Sequence, residues 1–136
     1  MLVGGIINPI RQSEWAIPMV IQPKKLDSTK LRICVDFWEL NKVTLTDPFP
    51  TPFVDEILNE VVGNECYSFT DGFLGYNKVP IAKVYHKKTT FVCEFGSFFY
   101  RVMPFGLQNA PTVFSRIVVK AFQEYSYKTM VVYFDD

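Results

Sequence analysis

The chain of 136 residues has few cysteines and no long apolar segment. Its cysteines, Cys34, Cys66 and Cys93, are odd in number, widely spaced and without a Cys-x-x-Cys pair. This argues against a disulfide framework or a zinc site, and favours buried free thiols in a reducing compartment. No apolar run is long enough to span a bilayer, and residues 1–5 contain no basic segment followed by an apolar one. We therefore expect an intracellular protein without a membrane partner.

One histidine and a formal net charge of zero narrow the possible functions further. His86 lies in a lysine-rich segment without a paired nucleophile, so we expect no hydrolase triad and interpret the residue as part of a solvated loop. A neutral chain is not attracted to nucleic acid as a whole, but local basic clusters can still bind phosphates. Two clusters qualify, with two solvated charged loops as the alternative: Lys24, Lys25, Lys30 and Arg32 in the first, and Lys83, Lys87 and Lys88 in the second.

The length and apolar content of the chain predict one folded domain. Hydrophobic residues make up 49% of the chain and aromatic residues 16%, which is too much for a disordered polypeptide. A chain of this length buries about two-thirds of its unfolded surface, so we expect a hydrophobic core.

A basic β-hairpin is predicted near the start of the chain. Residues 15–22 are apolar and strand-like, although Pro18 confines them to a sheet edge or a bulge. Residues 23–29 suit a turn, and residues 31–37 alternate between apolar and polar side chains. The tip of this hairpin carries lysines, and its second strand carries Arg32. Such a mobile, basic flap is suited to closing over a triphosphate.

Helical periodicity predicts two helices. The first covers residues 52–62, with Thr51 as its N-cap and Gly63 as its stop signal, and its apolar stripe is interpreted as core. The second covers residues 110–125 and begins after Asn109, which is interpreted as a cap. The predicted buried face of the second helix consists of Phe114, Ile117, Val118, Ala121 and Phe122.

Apolar, aromatic and β-branched runs predict strands on both sides of the second helix. Residues 66–71 form one strand, residues 89–95 and 98–103 form a hairpin that turns at Gly96-Ser97, and residues 129–135 form the last strand. This order predicts an α+β fold, in which the helix crosses one face of a mostly antiparallel sheet.

Carboxylates end two of these predicted strands. Asp71 follows one apolar run, and Asp135 and Asp136 follow another. Adjacent carboxylates repel each other and are costly to bury, unless a hard, oxygen-seeking cation such as Mg²⁺ binds them. Two such strand ends, if adjacent in a sheet, would form a two-metal phosphoryl-transfer centre. An ordinary solvated turn at each position is the alternative.

The combination of motifs is more specific than any one of them. Over essentially its whole length, the chain resembles the reverse transcriptase of LTR retrotransposons, most closely the gypsy type. The strongest motifs are Met103-Pro104-Phe105-Gly106-Leu107 with Asn109-Ala110-Pro111, and Tyr133-Phe134-Asp135-Asp136. The supporting segments are Ser13-Glu14-Trp15, Lys24-Lys25, Val35-Asp36-Phe37 with Glu39-Leu40-Asn41-Lys42, Phe49-Pro50-Thr51-Pro52, and Asp71 with Gly75-Tyr76.

The resemblance implies a polymerase that copies an RNA or DNA template-primer with deoxynucleoside triphosphates, in a cytoplasmic particle. It implies a fingers subdomain over roughly residues 1–52, and a palm with some fingers elements over roughly residues 53–136. By position, Asp71 and Asp135 resemble the aspartates that hold two Mg²⁺ ions, with Mn²⁺ as the other possible metal. Asp136 resembles their neighbouring third carboxylate.

The resemblance also implies four nucleotide-binding residues. Lys25 and Arg32 match the fingers residues that grip the phosphates of the incoming nucleotide. Tyr76 falls where the family keeps an aromatic ring under the sugar, which excludes a 2′-hydroxyl. Phe105 lies in the segment that packs against the nucleotide and the template.

Some features depart from the family pattern. Trp38 replaces a common arginine, Leu26 a common lysine and Lys78 a common glutamine, which we interpret as drift in a decaying element. The chain ends at the catalytic strand and lacks the thumb, connection and RNase H regions, so we expect a truncated domain that binds Mg²⁺ weakly and does not extend a primer. Two alternatives remain: a degenerate remnant that only folds or binds nucleic acid, and a different two-metal phosphotransferase or nuclease.

Overall fold

The computed structural model describes residues 1–2, 4–24, 27–50, 54–69, 75–126 and 128–132, apart from the side chains of Lys24, Asp27, Ser28, Lys30 and Arg32. Its strands are β1 (Ile7–Pro9), β2 (Ile17–Lys24), β3 (Asp27–Val35), β4 (Phe91–Cys93) and β5 (Gly96–Tyr100). Its α-helices are α1 (Trp38–Lys42), α2 (Val54–Val61) and α3 (Ala110–Ala121), and 3-10 helices cover Tyr76–Lys78 and Lys83–Thr89.

The described strands form a five-stranded sheet in the order β1-β5-β4-β2-β3. Neighbouring strands are antiparallel except for β4 and β2, which run parallel. The predicted α+β class with a mostly antiparallel sheet is therefore confirmed.

Strand β2 changes its pairing partner at Pro18. Ile17 and Pro18 pair with β4, and the ladder to β3 begins one residue later, at Met19. Because proline has no backbone N–H, it is tolerated at a position where the ladder to β3 has not yet begun. At Pro18 the described ladders pair β2 with β4 alone, so this position is a local sheet edge as predicted, although β2 as a whole lies between β4 and β3.

Strands β2 and β3 form the predicted basic hairpin. Their ladder extends from the Met19–Val35 pair to the pair of Lys24 with Asp27, so the turn is shorter than the predicted residues 23–29. Apolar side chains remain exposed along the hairpin, with Leu31 at 66%, whereas Phe37, two residues beyond β3, is only 2% exposed. Burial therefore begins at the foot of the hairpin, where the chain enters the body of the protein.

Aromatic side chains at the foot of the hairpin and on β4 and β5 form the core. The ring of Phe91 lies 5.2 Å from that of Tyr100, and Phe37 packs edge-on against Tyr100 at 6.3 Å. Helix α1 contributes Leu40; its five residues are too few to show a helical period, so the sequence did not predict it. The buried cluster consists of Ile7, Phe37, Leu40, Phe91, Phe98 and Tyr100.

Burial raises the pKa of the Tyr100 hydroxyl, and negative charge at the neighbouring Cys34 raises it further. A tyrosine with a higher pKa in the folded protein contributes stability that is complete below the unfolded pKa, about 10, and is lost as the pH rises through the folded pKa. We therefore expect the free energy of unfolding to fall above about pH 10, and Tyr100→Phe to make that fall shallower. Urea denaturation of both proteins at a series of alkaline pH values tests this, and equally steep declines in the two proteins would contradict it.

Helix α2 differs from its prediction in its packing. Gly63 follows it with a φ of +98°, a conformation that suits glycine, so the predicted stop signal is confirmed. No residue of α2 is buried, however, and Val54 and Leu58 are 50% and 53% exposed. The prediction that the apolar stripe of this helix is core is therefore wrong. Its predicted cap, Thr51, lies outside the described residues.

The predicted strands at residues 66–71 and 129–135 are not formed over their described parts. Residues 66–69 are irregular, with Phe69 96% exposed, and Met130 forms only an isolated bridge, to Ser126. A strand requires a partner that pairs with its backbone N–H and C=O groups. None of the described residues pairs with residues 66–69.

The hairpin of β4 and β5 is confirmed, but its turn lies elsewhere. Cys93 pairs with Gly96, so the turn is Glu94-Phe95 rather than Gly96-Ser97. Gly96 has a φ of +121°, which explains why a glycine follows the turn.

Helix α3 ends at Ala121, four residues before its predicted end. Ala110 and Ser115 are its buried residues, whereas Ile117 and Phe122 are 44% and 39% exposed. Ala121 is exposed as well, so the predicted buried face is wrong for Ile117, Ala121 and Phe122, and Phe114 and Val118 are only partly buried.

The cysteines are free, and Cys34 and Cys93 are partly buried. Cys66 is exposed, so the prediction of a buried thiol is wrong there. Within the described ranges, no helix combines the length and the apolar character needed to cross a membrane.

Candidate functional site

Tyr76 and Phe105, two of the residues implied to bind the nucleotide, lie together in the structure. Tyr76 begins a 3-10 helix, and its ring centroid lies 5.0 Å from that of Phe105, at an interplanar angle of 74°. The ring centroid of Phe114, from α3, lies 5.4 Å from that of Tyr76, at an interplanar angle of 80°. Edge-to-face contacts of this kind favour one ring orientation. We call Tyr76, Phe105 and Phe114 the aromatic pocket.

Gly75 brings the backbone against one ring of the aromatic pocket. A Cβ atom at this position would lie 2.4 Å from Cζ of Phe114 and 2.7 Å from its Cε2. The absence of a side chain at Gly75 therefore allows Phe114 to approach the backbone closely. Sequence analysis assigned Phe114 only to the core, although its place one turn into α3 and the glycine beside Tyr76 were visible signals.

Asn41 of α1 holds the loop that carries Phe105. Its Nδ2 donates to the carbonyl oxygen of Gly106 at 2.8 Å, and its Oδ1 accepts from the backbone N–H of Gln108 at 2.9 Å. Gly106 has a φ of +95°, and a Cβ there would lie 3.5 Å from Cδ2 of Phe37 and 3.8 Å from the carbonyl oxygen of Val35. The loop with Phe105 therefore abuts the foot of the β2–β3 hairpin.

More hydrogen bonds join the start of α3 to the segment after α1. Gln108 donates through Nε2 to Oγ1 of Thr46 at 2.6 Å, and Asn109 donates through Nδ2 to the carbonyl oxygen of Leu45 at 2.7 Å. Oδ1 of Asn109 accepts from the N–H of Asp47. Asn109 occupies the N-cap position of α3, but its side chain makes no capping bond, so the predicted side-chain cap is wrong.

Arg116 of α3 contacts the same segment after α1. Its guanidinium donates to Oδ1 of Asp47 at 2.5 Å and lies 5.2 Å from the ring centroid of Phe49. Both members of the ion pair are partly exposed, at 49% and 25%, so the pair contributes little to stability. The ion pair and the contact with Phe49 hold the segment of Asp47 and Phe49 next to α3.

The structure does not describe the side chains of the remaining predicted site residues. Asp71, Asp135, Asp136 and Lys25 lie outside the described residues. Arg32 pairs with Gln22 in the β2–β3 ladder, but its side chain is not described. In the part of the chain that the structure describes, no three acidic, histidine or cysteine residues form a possible metal site. The predicted metal centre therefore stays a prediction.

His86 is a structural residue rather than a solvated one. Its ring stacks on that of Phe99, with centroids 4.9 Å apart at 25°. Its Nε2 lies 2.8 Å from the carbonyl oxygen of Ile81. The interpretation of His86 as a solvated loop residue is therefore wrong, and these contacts give it a role in fixing its 3-10 helix.

Comparison with known families shows the class of protein to which this chain belongs. Residues 22–136 match the family described as reverse transcriptase (RNA-dependent DNA polymerase). The chain belongs to this reverse transcriptase family, and the family resemblance seen in the sequence is confirmed. Reverse transcriptases generally use divalent metal ions, which agrees with the expected cation at the level of the family.

Relatives match the chain over most or all of its length. An RNA-directed DNA polymerase homolog of Oenothera berteroana is 41% identical over 78% of this chain and 75% of that protein. The retrovirus-related Pol polyprotein from transposon 297 of Drosophila melanogaster is 31% identical over 100% of this chain. The chain spans only 13% of that polyprotein, so it corresponds to part of such a protein.

A solved structure shares the fold. The foamy viral protease-reverse transcriptase dRH, in complex with double-stranded DNA, superposes with a TM-score of 0.80 over 98% of this chain and 23% of that chain. Their sequences are 24% identical, so this likeness supports the fold alone.

Proposed function

We propose that the chain is the fingers and palm part of an RNA-directed DNA polymerase from a retrotransposon polyprotein. The fingers would cover roughly residues 1–52, and the palm, with some fingers elements, roughly residues 53–136. One observation carries the proposal: Tyr76 and Phe105 meet at the foot of a hairpin whose sequence contains Lys25 and Arg32. An aromatic surface beside a basic flap suits a nucleoside triphosphate, which has a sugar and base at one end and phosphates at the other.

Tyr76 would lie under the sugar of the incoming nucleotide and select deoxynucleotides. Phe105 and Phe114 both pack against its ring in T-shaped contacts, so the ring cannot turn aside easily to admit a 2′-hydroxyl. Phe105 is 64% exposed, which leaves much of its surface available to a nucleotide or a template. Asn41 would keep Phe105 in place through its two hydrogen bonds to the loop.

Lys25 and Arg32 would neutralise the phosphates of the incoming nucleotide. Charge on the phosphate oxygens increases during phosphoryl transfer, and fixed cations stabilise that charge. Arg32 lies on β3, three residues before Val35, whose carbonyl oxygen is close to the loop of Phe105. Nucleotide binding would therefore connect the hairpin with the aromatic pocket.

Asp71, Asp135 and Asp136 would hold the divalent cations. The donor set consists of carboxylates, without histidine or cysteine, and such oxygen ligands fit Mg²⁺ and also Mn²⁺. Two bound ions would supply activation of the primer 3′-hydroxyl and charge neutralisation of the triphosphate.

The partners of the complete protein would be an RNA or DNA template-primer and deoxynucleoside triphosphates. Solved neighbours include a foamy viral protease-reverse transcriptase in complex with an RNA/DNA hybrid, which supports a nucleic-acid partner. Thumb, connection and RNase H regions would be supplied by the rest of a polyprotein, in a cytoplasmic particle. A second candidate, a non-catalytic remnant that binds nucleic acid, is favoured by Trp38, which is 65% exposed where related sequences commonly have arginine.

A primer-extension experiment tests the proposal. Residues 1–136 replace the matching segment of the transposon 297 polyprotein, which aligns with the whole chain at 31% identity. With primer-template, deoxynucleotides and Mg²⁺, we expect template-dependent extension by this chimaera and none by the chain alone. A folded chimaera without extension would favour the remnant, and cleavage of the template by the 136-residue chain alone would favour a nuclease.

A further inference from the structure

The 3-10 helix Lys83–Thr89 has one column of side chains that faces the protein. Side chains three residues apart lie in the same column of such a helix. His86 and Thr89 form the inward column: His86 stacks on Phe99, and Thr89 is 3% exposed. Oγ1 of Thr89 accepts from the N–H of Tyr100 at 3.1 Å. These contacts fix the rotation of the helix about its own axis.

The other two columns consequently face solvent. One pairs Val84 with Lys87, and the other pairs Tyr85 with Lys88, so each contains an apolar side chain next to a lysine. Val84 is 77% exposed and Tyr85 is 53% exposed. Nζ of Lys88 lies 5.1 Å from the ring centroid of Tyr85, which holds a positive charge beside an exposed aromatic face.

A cleft continues this surface toward the segment before β2. The cleft is open, and its two walls are joined by Ser13, whose Oγ donates to the carbonyl oxygen of Lys87 at 2.8 Å and accepts from the N–H of Trp15 at 3.1 Å. The residues that line it are Gln12, Ser13, Glu14, Trp15, Val84, Lys87 and Lys88. Trp15 is partly buried and adds a second aromatic side chain to a polar wall.

Lysines outnumber acidic groups on this surface. Lys83 shares the column of His86 and Thr89, so the lysines of the two solvent-facing columns are Lys87 and Lys88, and both are exposed. Glu14 is the acidic residue of the adjoining cleft. None of these residues belongs to the aromatic pocket, and the proposed polymerase function does not use them. An anionic ligand with flat, stackable groups matches both the charge and the exposed ring.

We propose that this surface, which we call the lysine–tyrosine surface, binds single-stranded nucleic acid. The lysines bind backbone phosphates, and a base stacks on Tyr85, in the way that stacking and basic side chains combine in single-strand binding. A single strand fits better than a duplex, because a duplex covers the faces of its bases. This binding is independent of polymerisation, so it would exist in an inactive protein as well.

Salt-dependent binding measures the contribution of the lysines. Fluorescence anisotropy follows a labelled single-stranded oligothymidylate titrated with the 136-residue chain at several salt concentrations. Replacement of Lys87 and Lys88 by glutamine should reduce the slope of log K against log salt by about 1.4, because each lysine that neutralises one phosphate contributes about 0.7. The matched control replaces Lys120 and Lys128, two exposed lysines outside the lysine–tyrosine surface, by glutamine. This control should keep most of the slope of log K against log salt.

Tyr85 variants separate stacking from charge. Tyr85→Leu removes the flat ring and should weaken binding about tenfold, whereas Tyr85→Phe keeps the ring and should bind like the unmodified chain. The proposal would be overturned if the Lys87 and Lys88 variant and the Lys120 and Lys128 control reduced the salt dependence of binding equally. Equal affinity of the unmodified chain for single-stranded and duplex DNA would overturn it as well. Binding to phosphatidylserine vesicles but not to the oligonucleotide would overturn it too, since a membrane surface would then be the ligand.

Discussion

Replacement of Asp71 by asparagine in the transposon 297 chimaera should reduce primer extension by at least about 10³-fold. Asparagine keeps the size of the side chain but removes the negative charge that a divalent cation requires. A metal ion contributes several kcal/mol of charge stabilisation to phosphoryl transfer, and each 1.4 kcal/mol corresponds to a factor of about ten in rate. Single-turnover extension of a labelled primer measures the reduction directly.

A matched variant shows whether the loss of primer extension is specific to Asp71. Asp55 is an exposed aspartate in the first turn of α2, and Asp55→Asn makes the same chemical change away from the aromatic pocket. We expect the Asp55 variant to extend the primer within about twofold of the parent chimaera. An Asp71→Asn chimaera that is as active as the Asp55 variant would remove Asp71 from the catalytic centre.

Gly75→Ala should lower the free energy of unfolding by about 1–3 kcal/mol, the usual cost of overpacking. The new Cβ would lie 2.4 Å from Cζ of Phe114, far inside van der Waals contact. The ring of Phe114 cannot retreat without disturbing its edge contact with Tyr76. Urea denaturation of the 136-residue chain, followed by circular dichroism, gives the change in stability.

Two comparisons make this prediction specific. Gly4→Ala is the control, because a Cβ at Gly4 would meet nothing closer than 3.8 Å and should change stability little. Phe114→Ala in the Gly75→Ala background removes the clash, so the double variant should lose less stability than the sum of the single variants. Strict additivity of the two changes would show that Gly75 and Phe114 are not in contact.

Patterns that depend on local chemistry were predictable from the sequence. Alternation in residues 31–37 predicted the second strand of the first hairpin, and apolar and aromatic runs around a turn signal predicted the hairpin of β4 and β5. Gly63 marked the end of α2 because glycine adopts its φ of +98° without strain. The turn between β4 and β5 was misplaced because Gly96 suits a turn position and also the residue that follows a turn. Local composition does not distinguish these two positions.

Features that depend on distant partners were less predictable. Asn109 has the residue type of an N-cap, but its side chain forms hydrogen bonds with the backbone of Leu45 and Asp47 instead of capping α3. Apolar residues in α2 and at residues 66–69 indicate burial or pairing, yet both require another surface, and none of the described residues provides one. In the candidate site, the family resemblance implied Tyr76 and Phe105, whereas Phe114 and Asn41 were identified only from their contacts in the structure.

The ladder between β2 and β4 ends at Pro18, and the ladder between β2 and β3 begins at the next residue. The β2–β3 hairpin can therefore rotate as a unit about this junction. Because Pro18 pairs with β4 and the β3 ladder starts at Met19, a rotation at this junction leaves the bonds within the hairpin intact. The strand beyond Pro18 runs six residues to Lys24, about 20 Å at the usual rise of a strand. A pivot of about 10° at its base therefore swings the basic tip through about 3.5 Å, enough to make or break a contact between a lysine and a phosphate.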